Sequence, residues 1–191
     1  MRPTISAIIL AGGQGTRMNY QNKGLMNFQS QPLVQHVISR LTPQVDDIVI
    51  SANQDLKDYQ QFNFPVVRDK SESVGPLSGI LSASEFTKHS TVLVVPCDMP
   101  FLPLNLVEVL SPALDGNAVS ISSNGQRQPL VCLLDALVIS TIDDFLKSGQ
   151  RSVDRWLQSI NGKILPWDNN PEAFRNLNKT TDLISEQRLK N

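Results

Sequence analysis

Cysteine is scarce in this chain, with only Cys97 and Cys132 among 191 residues. Neither belongs to a cluster with metal-ligand spacing, and each lies inside an apolar run. Both are therefore expected to be buried, reduced thiols. An excess of one charge is lacking as well: 17 Lys and Arg stand against 18 Asp and Glu, for a formal net charge of −1. That balance excludes the basic face with which proteins attract nucleic acid nonspecifically. A polyanionic ligand must then be met by a few local cations. No apolar stretch reaches the roughly 18 residues that a membrane span requires. Residues Met1 to Ser6 lead straight into a strand-like run without the pattern of a signal peptide, so a cytoplasmic location is expected. Repeats, low-complexity tracts and linker-like segments are absent too. Residues 1–191 are thus expected to form one domain around one sizeable core.

What the chain does have is alternation. The run Ala7-Ile8-Ile9-Leu10 is apolar throughout and stops at glycines, as a buried parallel strand does. Leu33, Val34, Val37, Ile38 and Leu41 then repeat with a helical period from Pro32. Asp47 to Ile50 and Pro65 to Val67 predict two more strands, and Pro76 to Phe86 another helix. Thr91-Val92-Leu93-Val94-Val95 is the strongest strand signal, β-branched and apolar. Beyond it the pattern predicts a helix over 104–114, strands over 118–122 and 129–134, helices over 138–147 and 152–160, and a closing helix over 180–189. Such alternation implies a three-layer α/β fold, a mostly parallel sheet with helices on both faces. Ligands of such sheets bind outside the carboxyl ends of the strands, which is where the chain places its unusual residues.

Gly12-Gly13-Gln14-Gly15-Thr16-Arg17 follows the first strand directly. Three glycines in four positions let backbone amides approach a phosphate unobstructed. Arg17 and Lys23 add cations, and an arginine can grip a phosphate with two parallel bonds. This is no Walker A loop, because no Gly-Lys-Ser/Thr follows. Nor is it a dinucleotide fingerprint: Met18 stands at the third glycine position, and the second strand ends in Ser51-Ala52-Asn53 rather than a ribose-binding acid. Asp98 ends the strongest strand in Pro96-Cys97-Asp98-Met99-Pro100, where a carboxylate suits a hard cation shared with nucleotide phosphates. It stands too far upstream of Leu104 to cap the following helix. Asp69, after the third strand, is a second acid of this kind, although its position equally fits a solvated partner of Arg68 or Lys70. Gly75-Pro76-Leu77-Ser78-Gly79 opens a helix with proline at its start. Gly79 weakens that first turn, which close approach of a base or backbone explains. His36 and His89 fall on helical patterns with no second histidine or cysteine nearby, so neither is expected to bind metal. Trp156 and Trp167 are expected in the core or at its edge.

In order along nearly the whole chain, Leu10-Ala11-Gly12-Gly13 with Arg17-Met18, Lys23-Gly24-Leu25, Pro32-Leu33, Gly75 to Gly79, Pro96 to Pro100 and Asn176-Leu177-Asn178 resemble the molybdenum cofactor guanylyltransferases. No single piece is specific; the ordered set is. The resemblance implies a Rossmann-like fold of the nucleotide-diphospho-sugar-transferase kind and transfer of GMP from GTP to the terminal phosphate of molybdenum-loaded molybdopterin. It implies GTP contacts at Leu10, Ala11, Gly12 and Lys23, with Gly13 and Gly15 in the phosphate loop, Gly79 close to the nucleotide, and Asp69 on the guanosine part. Asp98 would bind Mg²⁺, and Arg17 and Lys23 would act with it in catalysis. A nucleotide contact after the second strand falls on Asn53, because Ser51 stands where the family often has Asn. Arg151, Asn176 and Asn178 would face the pterin. Transient contacts with molybdenum-insertion enzymes and acceptor molybdoenzymes are implied as well. Departures from the family are Asn22, commonly Asp, and Asn19-Tyr20 in place of glycines after Met18. Rival readings are a cytidylyltransferase of the same cofactor, a sugar-phosphate nucleotidyltransferase, and a nucleotide-binding regulator without turnover. Cytidylyl relatives tend to have Ala where Gly12 stands, and the cations with Asp98 speak against the regulator.

Overall fold

The computed structural model describes residues 4–12, 22–70 and 75–177. Strand β1 (Ile5–Leu10) is followed by a 3-10 turn (Lys23–Leu25), a hairpin of β2 (Asn27–Phe28) and β3 (Gln31–Pro32), and helix α1 (Leu33–Leu41). Next come β4 (Asp47–Ser51), α2 (Leu56–Gln60), β5 (Val66–Val67), α3 (Pro76–Ser84) and β6 (Thr91–Pro96). Helix α4 (Leu106–Leu110) runs into a 3-10 turn (Ser111–Ala113). It leads to β7 (Ala118–Ser123), β8 (Gln126–Asp135), α5 (Ala136–Ile139), α6 (Thr141–Lys147), α7 (Val153–Ser159), β9 (Lys163–Pro166) and a last 3-10 turn (Pro171–Phe174).

The main sheet has seven strands in the order β5-β4-β1-β6-β8-β7-β9. Parallel pairing joins β5, β4, β1 and β6, and again β7 and β9, while β8 runs antiparallel to both its neighbours. The mostly parallel sheet expected from the sequence is thus present, with one strand reversed. Alternation within each strand sorts its side chains between two cores. Ile5, Ala7 and Ile9 of β1 face one side with Leu93 and Val95 of β6, covered by α1, α4 and Tyr59 of α2. Ile8 and Leu10 face the other side with Val92 and Val94, covered by α3, α5, α6 and α7. Every residue of β1 is buried, which is why Ala7 to Leu10 read as an unbroken apolar run, while the buried Ser6 donates its hydroxyl to Asp47 Oδ1 at 2.7 Å. Trp156 is fully buried in the second core with its indole Nε1 donating to Thr141 Oγ1 at 3.0 Å, and Trp167 packs partly buried against the first.

Several elements differ from the sequence pattern. The helix expected over 104–114 starts at Leu106 and tightens into a 3-10 turn at Ser111, because Pro112 has no amide proton to continue the ladder. The helix expected over 138–147 is two helices that meet at Ser140. Asp135 caps the first, its carboxylate accepting from the Leu137 amide at 2.8 Å. His89 sits in the loop before β6 rather than on a helix, with Nε2 3.4 Å from Asp47. The hairpin of β2 and β3 turns through Gln29 and Ser30, both with positive φ and neither a residue that announces such a turn. Strand β9 was hidden because it lies at the sheet edge and buries little. The closing helix over 180–189 lies outside the described residues.

Candidate nucleotide site at the carboxyl edge of the sheet

Backbone hydrogen bonds continue past the strand ends. Cys97 donates to the Leu10 carbonyl at 3.0 Å, Ala11 to Ser51 at 2.7 Å and Ala52 to Val67 at 2.9 Å. The segments leaving β6, β1, β4 and β5 therefore stand in one row. Chain order reverses between β1 and β6, and the crevice outside their carboxyl ends is where open α/β sheets bind ligands. Gly12 and Asp98 flank that crevice, with Asn53 and Asp69 next along the row.

Asp69 is clamped from two sides. Asn53 donates Nδ2 to Asp69 Oδ2 at 3.0 Å and accepts from the Asp69 amide at 3.0 Å, a reciprocal pair that fixes the carboxylate and its backbone together. Ser51 Oγ donates to the other oxygen, Oδ1, at 3.3 Å. Lys70 turns away to pair with Glu85, so the reading of Asp69 as a partner of that lysine does not hold. Gly79, in the first turn of α3, lies beneath this clamp. A Cβ there would stand 2.6 Å from Ser51 Oγ, 3.2 Å from Leu10 Cδ2 and 3.3 Å from Asp69 Oδ1. Gly12 closes the other side: a Cβ on it would come within 3.2 Å of Asn53 Nδ2.

Asp98 occupies the other half of the crevice with Lys23, whose Nζ lies 3.6 Å from Asp98 Oδ2. The carboxyl of Asp98 is largely buried, its side chain 13% exposed. Burial pushes its pKa up from the usual carboxylate value, and the Lys23 ammonium acts against that shift. Its backbone carbonyl accepts from the Leu177 amide at 2.9 Å, which sets exposed Asn176 beside it. Cys97, next to Asp98, is buried, and burial raises its thiol pKa, with the Asp98 charge adding to the effect. Cys132 is likewise buried, with its pKa pushed up to about 12 by desolvation. Both cysteines are thus the inert thiols expected from their apolar surroundings.

Arg151 lies in the loop between α6 and α7, where its guanidinium donates to the carbonyls of Leu146 and Gln150 at 2.7 and 2.6 Å. That loop is not among the segments gathered around Asp98 by the bonds just described. Gly13, Gly15, Arg17 and Asn178 lie outside the described residues. Ser51, which sequence reasoning passed over, joins the candidate site by holding Asp69. Its place as the last residue of β4, at the carboxyl edge, was the signal that could have found it.

No group of three or more acidic, cysteine or histidine side chains gathers to hold a metal among the described residues. Asp98 alone suits a small divalent cation that shares its coordination with substrate phosphates and water, since such ions take only one or two protein carboxylates. The donor set therefore fits a nucleotide-bound metal and not a permanently caged one.

The sheet is doubly wound, with a clamped acid and a facing acid and lysine beside its switch point, and the chain is a nucleotidyltransferase. A family model described as MobA-like NTP transferase domain matches residues 7–163. The molybdenum cofactor guanylyltransferase of Shewanella piezotolerans is 39% identical over 182 residues, covering 93% of this chain and 89% of that protein. That of Haemophilus influenzae is 37% identical over 187 residues, covering 96% and 97% respectively. Among solved structures, molybdopterin-guanine dinucleotide biosynthesis protein A from Archaeoglobus fulgidus superposes with a TM-score of 0.80 at 20% identity, covering 97% of this chain and 98% of that one. The 4-diphosphocytidyl-2C-methyl-D-erythritol synthase of Anaerococcus prevotii shares the fold with a TM-score of 0.77 at 15% identity, covering 99% and 97%. The chain belongs to the molybdenum cofactor guanylyltransferase family.

Proposed function

We propose that this protein transfers GMP from GTP to the terminal phosphate of molybdenum-loaded molybdopterin, releasing pyrophosphate and forming the guanine dinucleotide cofactor. The observation that carries this reading is the pairing, across one crevice, of a rigid Asp69 clamp with the Lys23 and Asp98 pair. Asp69, held by Asn53 and Ser51, keeps lone pairs to accept from guanine or ribose donors. Leu10, Ala11, Gly12 and Gly79 form the floor on which the nucleoside rests. The glycine loop with Gly13 and Gly15, together with Arg17 and Lys23, holds the phosphates. Asn176 and Asn178, with Arg151, face the pterin.

A phosphate nucleophile is already ionised at neutral pH, so the residues need not supply a general base. Their work is in-line positioning and neutralisation of charge on the departing pyrophosphate, which falls to Lys23, Arg17 and the loop amides. Asp98 would hold Mg²⁺, which would supply neutralisation of phosphate charge. Among the described residues no helix is long and apolar enough to cross a membrane. We place the enzyme in the cytoplasm, where GTP is available, meeting molybdenum-insertion enzymes and acceptor molybdoenzymes by transient contact.

Base selectivity tests the reading. In a thermal-shift series with Mg²⁺, GTP at a hundred times its Kd should stabilise the protein by about 2.7 kcal/mol. CTP, UTP and ATP should do far less. Stabilisation by CTP equal to or above that by GTP would move the assignment to a cytidylyltransferase.

Gly79→Ala probes the nucleoside side. Within a helix this change is worth roughly 1 kcal/mol in favour of alanine, but overpacking a buried site costs about 1–3 kcal/mol, so melting temperature should hold or fall slightly. The new methyl group nevertheless displaces Ser51 from Asp69, because 2.6 Å lies inside any real carbon–oxygen contact. GTP affinity should fall about tenfold, the equivalent of one hydrogen bond to a charged group. Titration of GTP into the variant by calorimetry checks this; unchanged affinity would take Ser51 and Gly79 out of the nucleotide floor.

A further inference from the structure

The turn that carries Lys23 is held by a helix remote from it in sequence. Leu25 donates to the Asn22 carbonyl and Met26 to that of Lys23, each at 3.1 Å, and together these bonds close a single 3-10 turn. So short a turn fixes its own backbone weakly. The direction of Lys23 therefore depends on what grips the residues on either side of it.

Both are gripped by Tyr59. This residue of α2 is fully buried and donates its hydroxyl to Asn22 Oδ1 at 2.5 Å. Burial pushes the phenol pKa up, so the hydroxyl remains a donor. Asn22 in turn donates Nδ2 to Asp55 Oδ2 at 3.2 Å, and Asp55 precedes α2 with a left-handed φ of 52°. On the far side of Lys23, Gly24 lies against the same hydroxyl. A Cβ on Gly24 would overlap the Tyr59 oxygen and stand 3.2 Å from Cys97 Sγ, one residue from Asp98. The Tyr59 hydroxyl thus touches the residues before and after Lys23, and the turn is seated on the segment that carries Asp98.

We propose that Tyr59, Asn22 and Asp55 are positioning residues that aim the Lys23 ammonium at the phosphate side of the Asp98 carboxylate, through a relay in which Asn22 both accepts and donates. The inference rests on the reading of Lys23 and Asp98 given under the proposed function. An aspartate at position 22 would still accept from Tyr59 but would set two carboxylates face to face at hydrogen-bonding distance. Exchanging the pair, with Asn22→Asp and Asp55→Asn together, restores one acceptor and one donor in the opposite order.

The test is steady-state pyrophosphate release with GTP, Mg²⁺ and molybdenum-loaded molybdopterin, run alongside melting temperature. The proteins are the parent chain, Tyr59→Phe, Asn22→Asp and the exchanged pair. Tyr59→Phe and Asn22→Asp should each lower kcat about ten- to a hundredfold, as expected for a misplacement of order 1 Å. The exchanged pair should recover to within about threefold of the parent, since the relay is rebuilt. In a Lys23→Ala background Tyr59→Phe should add almost nothing, because residues acting through one group are not additive. A merely structural role would lower melting temperature and leave these couplings absent. Parent-like kcat in Tyr59→Phe, independent effects of Tyr59→Phe and Lys23→Ala, or an exchanged pair no better than Asn22→Asp would each overturn the inference. Should Tyr59→Phe fail to fold, the exchanged pair alone decides. A parent chain that releases no pyrophosphate from GTP overturns the reading of the site, and this inference with it.

Discussion

Asp98→Asn is expected to lose Mg²⁺-dependent pyrophosphate release by orders of magnitude while melting at or above the temperature of the parent protein. The asparagine keeps size and hydrogen-bonding capacity but removes the charge that makes a carboxylate a ligand for a hard cation. The stability half of the prediction follows from burial. Desolvation raises the folded-state pKa of Asp98 above its unfolded value, with Lys23 offsetting part of the shift. Between those two values the folded state binds more protons, so the contribution of this group to stability falls as pH rises through that window. Above that window the ionised carboxylate is therefore a cost to the fold that asparagine relieves, as is common where function requires a buried charge. Activity moves the opposite way: metal binding needs the ionised form, so turnover should decline on acidification from a higher pH than an exposed aspartate would give. Paired measurements of pyrophosphate release and melting temperature from pH 5 to 9 check both halves. Near-parental release from a folded Asp98→Asn protein would remove Asp98 from the mechanism.

Lys23→Ala should have the second largest effect, mostly on kcat. Its ammonium lies 3.6 Å from Asp98 and is partly exposed, and on the proposed reading it meets the charge that develops as pyrophosphate separates. Loss of one charge-assisted contact is worth roughly 1.5–3 kcal/mol, or about ten- to 150-fold in rate. Asp98 also loses the nearby cation that favours its ionised form, so the acid limb of the pH profile should shift upward. Stopped-flow and steady-state pyrophosphate assays at saturating GTP separate turnover from binding. A variant with parental kcat and the same pH profile would make Lys23 a surface residue.

The parallel core was legible because burial on both faces leaves a mark in one dimension. Strands β1 and β6 carry unbroken apolar runs, and α1 carries its periodic stripe. The elements that escaped are those whose shape owes little to their own residues. Helix α2 spans five residues after a left-handed Asp55, and its one buried anchor, Tyr59, gains its partner from Asn22, thirty-seven positions earlier. The β2–β3 turn bends through positive φ at Gln29 and Ser30, which propensity argues against.

At the site the division is similar. The linear order of the chain marked the segments expected to carry chemistry: Gly12, Asn53, Asp69 and Asp98 each follow a strand, and the carboxyl edge of a parallel sheet gathers such segments whatever the loops contain. It also determined the residue types that phosphates and a hard cation require. Which of these side chains meet was left to packing. Asp69 could have paired with Lys70 next to it, yet Lys70 went to Glu85 and Asp69 to Asn53 and Ser51, because β4 and β5 are adjacent in the sheet. Lys23 came to face Asp98 across seventy-five residues of chain, and the turn presenting it rests on Tyr59. Spacing along a chain encodes local backbone geometry and the faces of its elements. Contacts between distant side chains depend on strand order and helix packing, and those are settled only when both cores close together.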